Sequence, residues 1–439
     1  MASWKKVLAA MVVDVEEHFD LLKYRLRERI GGRDPIMIEP YRGYGTAEKL
    51  YLKGRVLEDK GIDPAMDDDT VWDNLLNMYR RFESDEIPYA RVLARFQDAE
   101  QEVQADVEGF FEVWIETTAG LPEDKLWHQV ELELLKPQRP GYPPVRAEGQ
   151  VLVPPPEAKF GVISDIDDTV LQTDATHLLN MARTVFLGNA RTRLPFHGVA
   201  AFYRALHQGT QREPWNPLFY VSSSPWNIYD LLSDFFKLQD IPIGPVLFLR
   251  DWGISENELL PTGHRSHKLE AIRKMLDLYP NLPFILIGDS GQEDPEIYAE
   301  VVRLYPGRIL AIYIRNVRRD LKRPEAVRAL AKEVAEAGST LILADDTLPM
   351  AEHAAAQGWI SPEALPEIQV EKEADEAPPG PIEKLLGEEQ AEAEAPTVVV
   401  ETGDKQTTKE AVDEGVIESA LDEGEEDGKK PPTVVVEGE

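Results

Sequence analysis

Four short stretches of this 439-residue chain carry side chains that could do chemistry together. The first is Phe160-Gly161-Val162-Ile163-Ser164-Asp165-Ile166-Asp167-Asp168-Thr169, an apolar run ending in three carboxylates and a hydroxyl. The second is Leu218-Phe219-Tyr220-Val221-Ser222-Ser223-Ser224-Pro225-Trp226, an apolar run ending in hydroxyls. The third is Ser266-His267-Lys268-Leu269, near the start of a helical pattern. The fourth is Ile285-Leu286-Ile287-Gly288-Asp289-Ser290-Gly291-Gln292-Glu293-Asp294-Pro295. Crowded carboxylates repel and raise one another's pKa, so something must offset them. A divalent cation is the simplest agent, and Mg²⁺ takes oxygen ligands of this kind. For a lone Asp-x-Asp-x-Thr the alternative is a polar turn with helix-capping aspartates.

The elements that must position these residues are readable from periodicity. After a proline-rich connector at 137–156, apolar runs at 160–164, 218–222, 246–249, 284–288, 309–314 and 340–344 predict strands. Helical patterns at 177–187, 198–208, 226–236, 266–278, 295–304, 324–336 and 349–357 fill the gaps. That alternation predicts an α/β domain, a doubly wound parallel sheet over 157–362. In such sheets ligands bind beyond the carboxyl ends of the strands, which brings the polar strand ends to one rim.

Upstream, residues 31–153 predict a β-sandwich-like domain. Its strands are expected near 36–41, 50–57, 90–96, 101–106, 110–116, 129–135 and 148–153, with a short helix at 71–82. Arg42-Gly43-Tyr44-Gly45-Thr46 reads as a structural glycine turn between the first two. Residues 1–30 predict a packing helix over 4–29.

Composition limits the rest. Without cysteine, disulfides, Cys-ligated zinc and thiol catalysis are excluded. The net charge of −33 argues against nonspecific nucleic-acid binding. No apolar run approaches the roughly 20 residues of a membrane span, and the start lacks a clear signal-peptide cleavage site. A cytoplasmic protein is expected, with peripheral membrane contact open to it. Residues 367–439 hold 23 acidic and 6 basic side chains, about half the excess charge, and predict a disordered acidic tail. Within it Pro-Thr-Val-Val-Val-Glu occurs at 396–401 and again at 432–437, a candidate docking strand for a protein partner or else repeat drift.

The order aspartate pair, serine, lysine, aspartate pair resembles the haloacid-dehalogenase superfamily of phosphohydrolases. More narrowly, Asp165-Ile166-Asp167-Asp168-Thr169, Val221-Ser222-Ser223-Ser224-Pro225-Trp226-Asn227, Gly288-Asp289-Ser290-Gly291-Gln292 and Ile312-Tyr313-Ile314-Arg315-Asn316-Val317 resemble the fungal actin-patch phosphatidate phosphatase catalytic-domain family. Pro40-Tyr41-Arg42-Gly43-Tyr44-Gly45 and Gly54-Arg55-Val56 are similar to that family's β-rich leader.

The resemblance implies Asp165 as nucleophile, forming an aspartyl-phosphate, and Asp167 as general acid and base. It implies Ser222 and Lys268 as holders of the phosphoryl oxygens. It implies Mg²⁺ on Asp165, Asp289 and the backbone carbonyl of Asp167, with Asp294 a weaker ligand. Residues 171–197, apolar at Leu178, Leu179, Met181, Val185, Phe186 and Leu187 and then carrying Arg191 and Arg193, would be a small cap that leaves the site open to a large substrate such as a lipid phosphate. Asp168, Asp345 and Asp346 read as loop or cap residues, and His264 and His267 as surface histidines. The expected function is Mg²⁺-dependent phosphomonoester hydrolysis, phosphatidate to diacylglycerol plus phosphate. The alternatives are the same chemistry on a non-lipid phosphoester, or a non-catalytic scaffold.

Overall fold

A computed structural model describes residues 35–58, 86–117, 120–122, 125–139, 141–167, 169–170, 198–213, 215–226, 229–250, 263–317, 323–376 and 434–436. They fall in one compact unit, Met1–Asp375 with Thr433–Glu439; the other unit, Glu376–Pro432, contributes only Glu376. The expected helices at 4–29 and 71–82 and the cap at 171–197 lie outside the described residues.

The α/β part is built from β9 (Gly161–Asp165), α1 (Val199–Gln208), β10 (Leu218–Pro225), α2 (Tyr229–Leu238), β11 (Val246–Arg250) and α3 (Gly263–Leu278). It continues with β12 (Phe284–Asp289), α4 (Asp294–Leu304), β13 (Ile309–Arg315), α5 (Arg323–Glu336), β14 (Thr340–Ala344), α6 (Leu348–Ala356) and α7 (Ala364–Glu376). The sheet order is β11-β10-β9-β12-β13-β14, all parallel. In chain order this is 3-2-1-4-5-6, a doubly wound arrangement whose direction reverses between β9 and β12.

The strands are apolar throughout because both faces are covered. Alternate residues enter two different cores. Val162, Tyr220, Ile285, Ile287, Tyr313 and Ile342 face one, with α1, α2, α6 and α7. Ile163, Phe219, Leu286, Ile312, Ile314 and Leu341 face the other, with α3, α4 and α5.

The N-terminal region is a sheet of β1 (Ile36–Pro40), β2 (Gly43–Gly45), β3 (Lys49–Glu58), β4 (Arg91–Phe96), β5 (Ala99–Gln104), β6 (Phe110–Glu116), β7 (Trp127–Lys136) and β8 (Arg146–Leu152). Hydrogen bonding runs unbroken through β1-β3-β2-β8-β7-β4-β5, with β6 on β3. A β-sandwich-like domain was expected, and the strands form one hydrogen-bonded sheet that shares a core containing Ile38, Leu52, Val92, Val113, Leu132 and Val151. The link is β2, which pairs antiparallel with β3 and parallel with β8. The glycine turn expected there is this strand. A Cβ on Gly43 would stand 2.0 Å from the Tyr51 carbonyl oxygen, so only glycine lets the backbones approach so closely.

The tail needs correction. Disorder was expected from 367, yet α7 reaches Glu376. Ile368 is fully buried, Glu371 accepts from the Ala201 backbone N–H at 2.7 Å, and Glu367 and Glu371 both pair with Arg204. An acid-rich composition hid one apolar anchor and two specific ion pairs. Further on, Val434–Val436 of the second repeat forms β15, antiparallel on β14. The first repeat lies outside the described residues. Among the described residues no helix is long and apolar enough to cross a membrane.

Candidate active site

The strand ends on either side of the reversal point carry the acidic residues. Asp165 ends β9 and Asp289 ends β12, the two strands pairing in parallel register. Asp294 opens α4, five residues on, with Pro295 in the first turn where a missing N–H costs nothing. One carboxylate oxygen each from Asp165, Asp289 and Asp294 lie within 4.8 Å of one another, and all three residues are buried. The sequence-distant aspartates therefore meet.

Lys268, on α3, stands between them. Its Nζ donates to Asp165 Oδ1 at 2.6 Å and to Asp294 Oδ1. Asp294 Oδ2 accepts from the Asp289 backbone N–H at 3.2 Å. That contact needs Gly288, because a Cβ there would sit 2.3 Å from Asp294 Oδ2. Asp289 Oδ1 accepts from the N–H groups of Gly291 and Gln292 at 2.6 and 3.0 Å, which folds the loop around it.

Burial lifts Asp165 well above the usual carboxylate range; Lys268 opposes the shift, while Asp294 and Asp167 add to it. Burial alone would push Lys268 down, but the carboxylates of Asp165 and Asp294 outweigh it and hold the ammonium above the usual lysine range. The cluster is thus one fixed cation against three carboxylates. Asp165 Oδ2 is buried with no hydrogen-bond partner among the described residues. A buried, oxygen-rich donor set of three carboxylates with one lysine among the described residues fits a divalent metal ion such as Mg²⁺.

The remaining expected residues lie on the same rim. Ser222 is buried on β10, one residue beyond Val221, which pairs with Asp165. Asp167 is half-buried, and its carbonyl is 3.5 Å from Gln292 Nε2. Asp168 and the side chain of His264 lie outside the described residues, and His267 is exposed. Asp346 Oδ1 accepts from the Leu348 N–H at 3.0 Å in the turn that leads into α6, whose N-cap is Thr347.

Supporting residues had no signal in the spacing. Ser164 Oγ donates to the Asp165 carbonyl at 2.7 Å and so must accept from Tyr203 Oη, also 2.7 Å away. Arg323 donates to the carbonyls of Ser290 (2.7 Å) and Gln292 (2.5 Å) and forks onto Glu296, clamping the loop that follows Asp289. An arginine fork suits such a bidentate task, but only the folded chain reveals its targets.

These features define a doubly wound α/β domain with a buried, carboxylate-rich candidate cation site at its reversal point. Residues 160–316 match the family described as "Phosphatidate phosphatase APP1, catalytic domain". The chain is 35% identical over 157 residues to phosphatidate phosphatase APP1 of Saccharomyces cerevisiae, covering 36% of this chain and 26% of that protein. It is 32% identical over 228 residues to an uncharacterized protein of Schizosaccharomyces pombe, covering 50% of this chain and 36% of that protein. The chain therefore spans about a quarter to a third of the length of these relatives. Among solved structures, a carbohydrate acetylesterase from Xanthomonas citri aligns over 67% of this chain and 72% of its own at 13% identity. Its TM-score of 0.21 is too low to bear on fold or chemistry.

Proposed function

We propose that this chain is a Mg²⁺-dependent phosphomonoester hydrolase of the haloacid-dehalogenase type, acting on a lipid phosphate of the phosphatidate class. The observation that carries the reading is the meeting of Asp165, Asp289 and Asp294 around Lys268 at the reversal point of the sheet, with Asp165 Oδ2 unpartnered among the described residues. The family match of residues 160–316 and the likeness to a phosphatidate phosphatase support the substrate class.

In this mechanism Lys268 holds Asp165 Oδ1 and leaves Oδ2 to attack phosphorus. The bond from phosphorus to the alcohol oxygen breaks, and Asp167 gives that oxygen its proton. Asp167 then takes a proton from water as the water oxygen attacks the phosphoaspartate. Inorganic phosphate leaves and the Asp165 carboxylate is restored. Ser222 and Lys268 hold the non-bridging oxygens. Asp165, Asp289 and Asp294, with the carbonyl of Asp167, would hold Mg²⁺, which supplies charge neutralisation and orientation of the phosphoryl group.

The test is phosphate release from a panel of phosphatidate vesicles, soluble phosphomonoesters, phosphopeptides and polynucleotide ends, each with Mg²⁺ and with EDTA. Release from phosphatidate that stops in EDTA is expected. Release from soluble esters alone would overturn the lipid assignment. No release from any ester would overturn the enzyme reading in favour of a scaffold.

A further inference from the structure

The strand end that carries Ser222 is gripped from outside the α/β domain. β10 stays in register with β9 up to Val221 and then bulges between Ser222 and Pro225. The next residue, Trp226, is buried against the turn that joins β1 to β2. Tyr41 stacks on it with ring centroids 4.5 Å apart and planes at 29°. The same ring meets the edge of Tyr229, the first residue of α2, at 4.7 Å. The Arg42 backbone N–H donates to Tyr229 Oη at 2.8 Å, and its Nη1 donates to Ser233 Oγ at 2.9 Å. The Lys53 ammonium lies 4.7 Å from the Trp226 ring centroid, a cation–π contact from β3.

The grip has a firm base. Tyr41 and Phe110 belong to the same buried cluster as α1 and α2. Gly43, two residues past Tyr41, is pressed against the β3 backbone at Tyr51. Neither Tyr41 nor Arg42 belongs to the aspartate–lysine cluster. Their contacts fall on both sides of the chain reversal that ends β10 and begins α2.

We propose that Tyr41 and Arg42 are positioning residues for the phosphoryl-binding strand end: through Trp226 and Tyr229 they fix Ser222 beside Asp165, so the N-terminal sheet is a working part of the site. This rests on the reading of Ser222 as a phosphate holder. A misplacement of about 1 Å in a reacting geometry costs on the order of 10²-fold in rate. The stack and the Arg42 bonds are what hold this backbone against such a drift.

Full-length Tyr41→Leu, Arg42→Ala, Tyr41→Phe and Ser222→Ala variants test the proposal with two readouts. The first is hydrogen exchange of peptides spanning 218–226, with 284–289 as internal reference. Tyr41→Leu is expected to speed exchange in the former and spare the latter, and Tyr41→Phe, which keeps the stack, is expected to restore protection. Equal exchange in wild type and Tyr41→Leu would overturn the proposal even if the chain hydrolyses no phosphoester. Such inactivity would overturn the proposed function by itself.

The second readout is kcat/KM. Tyr41→Leu is expected to lower it by about 10- to 100-fold, chiefly through KM, and Arg42→Ala by less. In the Ser222→Ala background the Tyr41→Leu effect is expected to shrink to less than twofold, because both act through one group. Undiminished loss in that background would show a general structural effect and overturn the positioning role.

Discussion

Two clusters of charged side chains, one buried and one partly exposed, share the rim of the parallel sheet, and they differ in how they close. On the β13–β14 side, Arg315 donates to Thr347 Oγ1 at 2.9 Å and Asn316 Nδ2 to Asp345 Oδ1 at 2.7 Å. Lys372 from α7 pairs with Asp346 at 2.8 Å. Burial lowers the Arg315 guanidinium to about 10, yet two cations there meet two carboxylates. On the β9–β12 side one ammonium meets three carboxylates, and a buried carboxylate oxygen of Asp165 has no hydrogen-bond partner among the described residues. A charge cluster that balances itself holds a structure together. One in which carboxylates outnumber cations among the described residues is suited to a bound cation, because gathering like charges in a buried site is costly.

The sharpest way to break this contrast is to remove the nucleophile. Asp165→Asn is expected to lower turnover by at least about 10³-fold. It also removes a buried carboxylate whose charge is disfavoured by burial, Asp294 and Asp167 and favoured only by Lys268. Thermal stability without Mg²⁺ is therefore expected to hold or rise, as differential scanning fluorimetry would show. Turnover near wild type would take Asp165 out of the chemistry.

Lys268→Met acts in the opposite sense on stability. It leaves Asp165 and Asp294 facing each other without their shared donor. Removing one side of a buried pair costs about 3–5 kcal/mol, so chemical denaturation of the metal-free variant is expected to reveal a loss of that size. Mg²⁺ is expected to recover part of it. A loss below about 1 kcal/mol, the range of exposed pairs, would deny the buried network its importance.

Asp289→Asn tests the missing charge directly. A cation at 100 times its dissociation constant stabilises the folded chain by about 2.7 kcal/mol. Wild type is expected to melt several degrees higher with Mg²⁺ than with EDTA, and Asp289→Asn to lose most of that difference. An equal Mg²⁺ response in both would place the ion elsewhere.

How far the sequence foretold this depends on which force decides each feature. The six parallel strands were legible because burial on both faces leaves an unbroken apolar run, as in Ile285-Leu286-Ile287. Asp165, Ser222 and Asp289 were legible because a polar residue directly after such a run must sit at the rim. Strand β2 was not, since Gly43 and Gly45 reveal strand character only through the neighbour they let approach. Helix α7 was not, because acid-rich composition concealed Ile368 and the pairs to Arg204. Arg323 and the Tyr41–Trp226 stack depend on contacts between segments far apart in the chain, which no local pattern records.

The smallest expected effect completes the comparison from its balanced side. Asp346→Asn keeps the side-chain oxygen that accepts from Leu348 but removes the charge facing Lys372. Asp346 is about a third exposed, so solvent already screens the pair, and the loss is expected to be about 1 kcal/mol or less. Turnover and the Mg²⁺-dependent rise in melting temperature are expected to match wild type, because neither Asp346 nor Lys372 belongs to the aspartate–lysine cluster. The same isosteric exchange, aspartate to asparagine, would then abolish catalysis at 165, remove the ion's effect at 289, and leave both intact at 346. A Mg²⁺ response reduced in Asp346→Asn as much as in Asp289→Asn would mean the two clusters form one electrostatic unit, and the contrast between them would fail.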